Sequence, residues 1–117
     1  MNFRIFVAND CKMKNERLEQ LRQMLKEAPN DIFVRYAIGL ELYKTEDFAS
    51  AIQHMKMLAS EHPSYCPVHF KLGQWYSEND NIEEAVNWLT KALRIAEKEN
   101  DPKAINEIRE ALWLLED

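Results

Sequence analysis

The chain's only two glycines, Gly39 and Gly73, stand 34 residues apart, and their surroundings recur at the same offset. Ile38 and Leu72 precede them, and Leu42 and Tyr76 follow by three; Ala51 answers to Ala85, Met55 to Leu89 and Pro29 to Pro63. A fixed period of this length marks stacked helical units, each too small to bury its apolar face alone. A glycine inside a helix costs about 1 kcal/mol relative to alanine, so its recurrence asks for an offsetting close approach of a neighbouring helix. Ala51 and Ala85 are expected to supply the matching small surface on the second helix of each pair. Leu42, Tyr76, Met55 and Leu89 then fill the space around the contact. Pro63 ends the pair because proline cannot continue a helix.

The pattern resembles the tetratricopeptide repeat, whose 34-residue helix–turn–helix carries Trp-x-x-Leu-Gly-x-x-Tyr, then Ala-x-x-x-Phe, then Pro. The second copy reads His69-x-x-Leu72-Gly73-x-x-Tyr76 and Ala85-x-x-x-Leu89. The first reads Arg35-x-x-Ile38-Gly39-x-x-Leu42, Ala51-x-x-x-Met55 and Pro63. The copies span about residues 32–99, and flanking helices extend the resemblance to nearly everything after Lys14. Arg35 and His69 stand at the Trp position, Glu97 replaces the second copy's proline, and Glu46 and Asp80 occupy a turn where glycine is frequent. Glu46 is the less comfortable of the two, since Asp tolerates a left-handed backbone better.

The resemblance implies an all-α fold, a right-handed superhelix of antiparallel helix pairs with about six helices. Residues 1–13 are set apart as an N-terminal arm, and 14–117 form a single domain. A helix over 15–28, with Leu18, Leu21, Met24 and Leu25 on one stripe, belongs to a leading half-repeat at 14–29. Helices over 31–44 and 47–61 make the first repeat, 31–63. Those over 64–77 and 81–99 make the second, 64–99, with Asn81 and Glu84 at capping-box spacing. Asp101 and Pro102 open a last helix to about residue 116. Its Ala104, Ile105, Ile108, Ala111, Leu112 and Leu115 form a stripe that closes the stack. Because Met13-Lys14-Asn15-Glu16 is itself an ordinary start, translation beginning at Met13 is one expectation for the first dozen residues. The other is an arm whose Phe3, Ile5 and Val7 alternate and pack on a neighbour.

Composition narrows the function classes. At 46% apolar the chain is no disordered tail, and 2 Gly with 4 Pro speak against an all-β fold. A net charge of −5 argues against nucleic acid as the main partner. No apolar run approaches a membrane span and no secretory signal is recognisable, so a cytoplasmic protein is expected, with Cys11 and Cys66 as reduced thiols.

In the tetratricopeptide family the first helix of each pair lines the inner, concave surface. The resemblance places the binding groove at positions two, five, nine and twelve of each unit. These are Phe33, Tyr36, Leu40 and Tyr43 in the first copy and Pro67, Phe70, Gln74 and Ser77 in the second. The family's clamp for a chaperone C-terminal carboxylate uses Lys, Asn and Arg there. Here only Lys44 and Lys71 can contribute charge, so the clamp is absent. The expected function is therefore a non-catalytic adaptor that holds an apolar or amphipathic peptide segment of a protein partner. Each buried anchor contributes about 1.5–3 kcal/mol before costs, and a micromolar complex needs about −8 kcal/mol. Against this stands packing of the same side chains within the molecule. Trp113 and Leu114 fall off the closing stripe of the last helix and are candidate self-association residues for a homodimer. The alternative function is thus a structural homo-oligomer or assembly subunit. Trp75 and Trp88 read as packing residues.

No cofactor, metal or catalytic site is expected. His62, Cys66 and His69 lie close in sequence but lack paired zinc spacing and a fourth ligand. His54 reads as a surface or packing residue. The carboxylates at Glu46-Asp47, 78–80 and Glu83-Glu84 coincide with loops and helix starts, where the helix dipole favours them.

Overall fold

The computed structural model describes residues 16–116, so the 1–13 arm, Cys11 and the cap expected at Asn15 lie outside the described residues. These residues form six helices and no strand: α1 over 16–27, α2 Ile32–Lys44, α3 Phe48–Glu61, α4 Cys66–Glu78, α5 Ile82–Lys98 and α6 Pro102–Leu114. Among them no helix is long and apolar enough to cross a membrane. The chain divides into two compact units, the first ending at Leu58 and the second beginning at Ala59, so the boundary falls inside α3.

One turn is used three times. Glu46, Asp80 and Asn100 adopt left-handed backbone, with φ of 67°, 60° and 55°. At each, the left-handed residue's N–H donates to the carbonyl three residues back, as in Glu46 to Tyr43 at 3.1 Å. The next N–H donates five back: Asp47 to Leu42, Asn81 to Tyr76 and Asp101 to Ala96. Together these bonds satisfy carbonyls orphaned at the end of a helix. That same next residue then caps the following helix. The side chains of Asp47, Asn81 and Asp101 accept from the N–H groups of Ser50, Glu84 and Ala104 at 3.2–3.4 Å. Asp31 caps α2 in the same way, accepting from Val34 at 3.2 Å. α4 instead begins after Tyr65, which gives no side-chain cap, and carries Pro67 in its first turn. The chain is therefore not yet helical at Ser64.

The buried residues repeat with the period. Val34, Ile38, Ala51, Met55 and Leu58 fill the first unit, and Val68, Leu72, Ala85, Leu89 and Ala92 hold the equivalent places in the second. α5 packs against both α4 and α6, burying Leu89, Ala92, Ala96 and Ile108 beneath Leu93, Ile105, Leu112 and Leu115. Both glycines are buried in helices. A Cβ at Gly39 would lie 2.5 Å from Met55 Cε, and one at Gly73 would lie 2.6 Å from Leu89 Cγ. The space left by each glycine is thus taken by a long side chain one turn beyond the alanine that recurs with the period. The atoms nearest the two glycines belong to Met55 and Leu89, two of the four side chains expected to fill the space around the contact.

Candidate protein-binding site

α2 carries Phe33, Tyr36, Leu40 and Tyr43 at helical intervals, so they share one face. Phe33 is 77% exposed, whereas Tyr36, Leu40 and Tyr43 are half-buried. Phe48, at the start of α3, brings its ring to 4.9 Å from that of Tyr43 and is itself exposed. It lengthens the aromatic strip beyond what helical spacing on α2 alone can reveal. Lys44 projects to solvent at the end of α2, with its Nζ 3.4 Å from Glu41 Oε1.

Glu41 was not legible as a special residue. It is 4% exposed and meets Arg17 Nε of α1 at 2.9 Å. Its equivalent one period on is Trp75, also buried. A carboxylate holds the site in the first unit because a guanidinium from α1 reaches it, and a buried charge needs such a partner. No period-based signal points to Arg17, which precedes the repeats.

In the second unit, Phe70, Lys71 and Gln74 of α4 are half-buried. Phe70 leans on the Leu89, Ala92, Ala96 and Ile108 cluster, so much of its surface is committed to packing within the molecule. Gln74 lines a cleft of about 210 Å³ with Ser77, Glu78, Leu89, Ala111, Leu114 and Leu115. Pro67 is exposed in the first turn of α4. On α6, Trp113 and Leu114 are 69% and 64% exposed, off the buried stripe.

The remaining polar groups are engaged structurally. His54 Nε2 donates to the Arg35 carbonyl at 2.7 Å, and His69 Nδ1 to the Tyr65 carbonyl at 2.8 Å. Burial pushes both imidazoles below their ordinary pKa; nearby Arg35 and Arg22 add to this at His54 and Lys91 at His69, while the carbonyl bonds oppose it. Each His is thereby held as the neutral donor. The His69 ring lies 5.7 Å from Trp88, which carries Lys91 Nζ at 4.4 Å from its centroid. Trp75 is buried, and Trp88 is half-buried in this stack. The Cys66 thiol donates to the Ala92 carbonyl at 3.5 Å, and burial, with Glu99 and Asp101, raises its pKa. Among the described residues no three of His, Cys, Asp and Glu converge as a metal site.

A family model described as Tetratricopeptide repeat matches residues 67–99. A tetratricopeptide repeat domain protein from Salinibacter ruber, solved by NMR, is 26% identical over 75% of this chain and 89% of its own, with a TM-score of 0.71. A protein of Bordetella parapertussis is 21% identical over 84% of this chain and 85% of its own, at TM-score 0.72. MamA from Desulfovibrio magneticus is 19% identical over 96% of this chain and 71% of its own, at 0.56. Curated proteins give no match. The motif around Gly73, the period of the buried residues and these likenesses agree: the chain carries a tetratricopeptide repeat over residues 67–99 and has the all-α fold of tetratricopeptide-repeat structures.

Proposed function

We propose that the chain is a non-catalytic adaptor that holds an apolar or amphipathic segment of a protein partner along the aromatic face of α2. Folds of this kind present extended binding surfaces to other proteins. The observation that carries the reading is the strip itself: Phe33, Tyr36, Leu40 and Tyr43 on one face, extended by Phe48, with Phe33 largely in solvent. Such a ladder costs solubility unless something covers it, and aromatic anchors are the residue type that dominates interface energetics. The strip contains no cation of its own, and Lys44 beside it is engaged by Glu41. An apolar stripe on an extended or helical segment suits it better than an acidic tail.

Random-peptide display panned against the wild-type protein tests this. Selected peptides should be rich in apolar residues at regular spacing, and Phe33→Ala with Tyr36→Ala should weaken them at least tenfold while far-UV circular dichroism stays unchanged. Equal binding to the double variant refutes the assignment. Exposure of Trp113 and Leu114 favours a second reading, association of copies through α6. A strictly monomeric species by light scattering at high concentration removes it.

A further inference from the structure

We infer that the cleft between the C-terminal ends of α4 and α6 receives an apolar side chain from a cationic amphipathic segment of a partner protein. This site belongs wholly to the second unit and rests on reading the chain as a protein-binding module, but not on the α2 strip. Leu89 of α5, Ala111, Leu114 and Leu115 give the cleft its apolar walls, while Gln74, Ser77 and Glu78 give it a polar edge. Its volume of about 210 Å³ lies below the roughly 300–1,000 Å³ of small-molecule sites. It suits one inserted side chain. Leu114, largely exposed within that apolar wall, provides the rim on which the rest of a helix turn can lie.

Charge selects the occupant. From Ala59 to the last residue the chain carries twelve Asp and Glu against six Lys and Arg, whereas the residues before Ala59 carry eight against nine. The acidity of the whole protein is therefore concentrated in the unit that holds the cleft. Arg109 and Glu97 offset one another at 3.5 Å, Lys91 lies over Trp88, and Lys71 stands one turn before Gln74 on α4, so the surplus persists with these set aside. Glu78 is in the cleft wall, and Glu107 and Glu110 are exposed on α6. A segment bearing Lys or Arg around an apolar anchor gains from this field at encounter and after docking. A second copy brings the same surplus of carboxylates, so a symmetric contact through this cleft sets acid against acid.

The probe is a synthetic amphipathic peptide of leucines at helical spacing with lysines elsewhere, paired with a counterpart in which glutamate replaces lysine. Backbone amide shifts on titration should centre on Gln74, Ser77, Ala111, Leu114 and Leu115. The glutamate peptide should bind at least tenfold more weakly, and added salt should narrow that gap. Leu114→Asn, a neutral change at an exposed position, should cost the lysine peptide at least tenfold with helicity retained. Equal affinity for the two peptides, or an unaffected Leu114→Asn variant, overturns the inference. Shifts confined to α2, abolished by Phe33→Ala with Tyr36→Ala, overturn it while leaving the α2 reading intact. A dimer that shields Ala111 to Leu115 overturns it in favour of self-association.

Discussion

Gly39→Ala and Gly73→Ala are the same substitution at equivalent places, yet the structure assigns them different costs. In either helix alanine gains about 1 kcal/mol of intrinsic propensity over glycine. At Gly73 the new methyl would sit 2.6 Å from Leu89 Cγ, 2.7 Å from Cδ2 and 3.3 Å from the Leu89 backbone nitrogen, against the 3.5–4.0 Å of comfortable carbon contact. Leu89 Cγ is one bond from Cβ, so it clears the methyl only by an off-rotamer χ1 or by movement of α5. The nearby backbone nitrogen limits that movement. Overpacking of this kind costs about 1–3 kcal/mol. Taking the upper half of that range less the propensity gain leaves Gly73→Ala about 1–2 kcal/mol less stable. At Gly39 the clashing atoms are Met55 Cε and Sδ, at 2.5 and 2.7 Å. They end an unbranched side chain with three torsions that can swing aside. The overpacking cost then falls near 1 kcal/mol and the two effects nearly cancel. Thermal unfolding followed by circular dichroism reads the difference, at about 4–8 °C per kcal/mol for a domain near this size. Gly73→Ala as stable as the parent, or Gly39→Ala the more damaging of the two, refutes the packing argument.

Glu46→Gly should stabilise the protein by about 0.5–1 kcal/mol, because Glu46 holds a left-handed backbone at φ 67° and glycine relieves that strain less its own chain entropy; a lower midpoint in urea contradicts this. Arg17→Ala should cost about 1 kcal/mol by removing the nearer partner of buried Glu41, and adding Glu41→Gln should recover part of the loss. Stability should be fully present above about pH 6.5 and decline as the pH falls below it. The folded state lowers the pKa of His54 and His69, so protonation favours the unfolded chain. Comparing melting at pH 7.5 and 5.5 should show a drop that His54→Gln with His69→Gln makes shallower, and an equal drop in that variant excludes the histidines as its source.

The architecture was legible because a repeat states each packing relation twice. Val34 and Val68, Ile38 and Leu72, and Ala51 and Ala85 announce the same buried face, and Asp47, Asn81 and Asp101 mark helix starts by their capping chemistry. The start of α4 was less legible, since Ser64 has the chemistry of a cap while the chain enters its helix two residues later, after Tyr65. Spacing also gave the angular position of Phe33, Tyr36, Leu40 and Tyr43, but angle is not burial. Phe70 shares the inner face by position and yet spends its ring on the α5 and α6 cluster. Glu41 escaped notice for a related reason: its partner Arg17 sits in a different helix outside the period, and only three-dimensional reach connects them. Gln74 and Ser77 were legible as groove positions, but not the cleft they share with Leu114 and Leu115, because that depends on how far α6 stands from α4.

The thrice-used turn at Glu46, Asp80 and Asn100 has a consequence for evolution and engineering alike. Each connector stops one rod and starts the next with no spare residue, so it behaves like a keyed coupling that fixes rotational phase. Inserting a single amino acid there turns the following rod by about 100° and presents its oily side to water, whereas splicing in a whole 34-residue cassette preserves every phase. Length variation in this molecule should therefore arrive in full modules, and the linkers themselves should resist insertion and deletion.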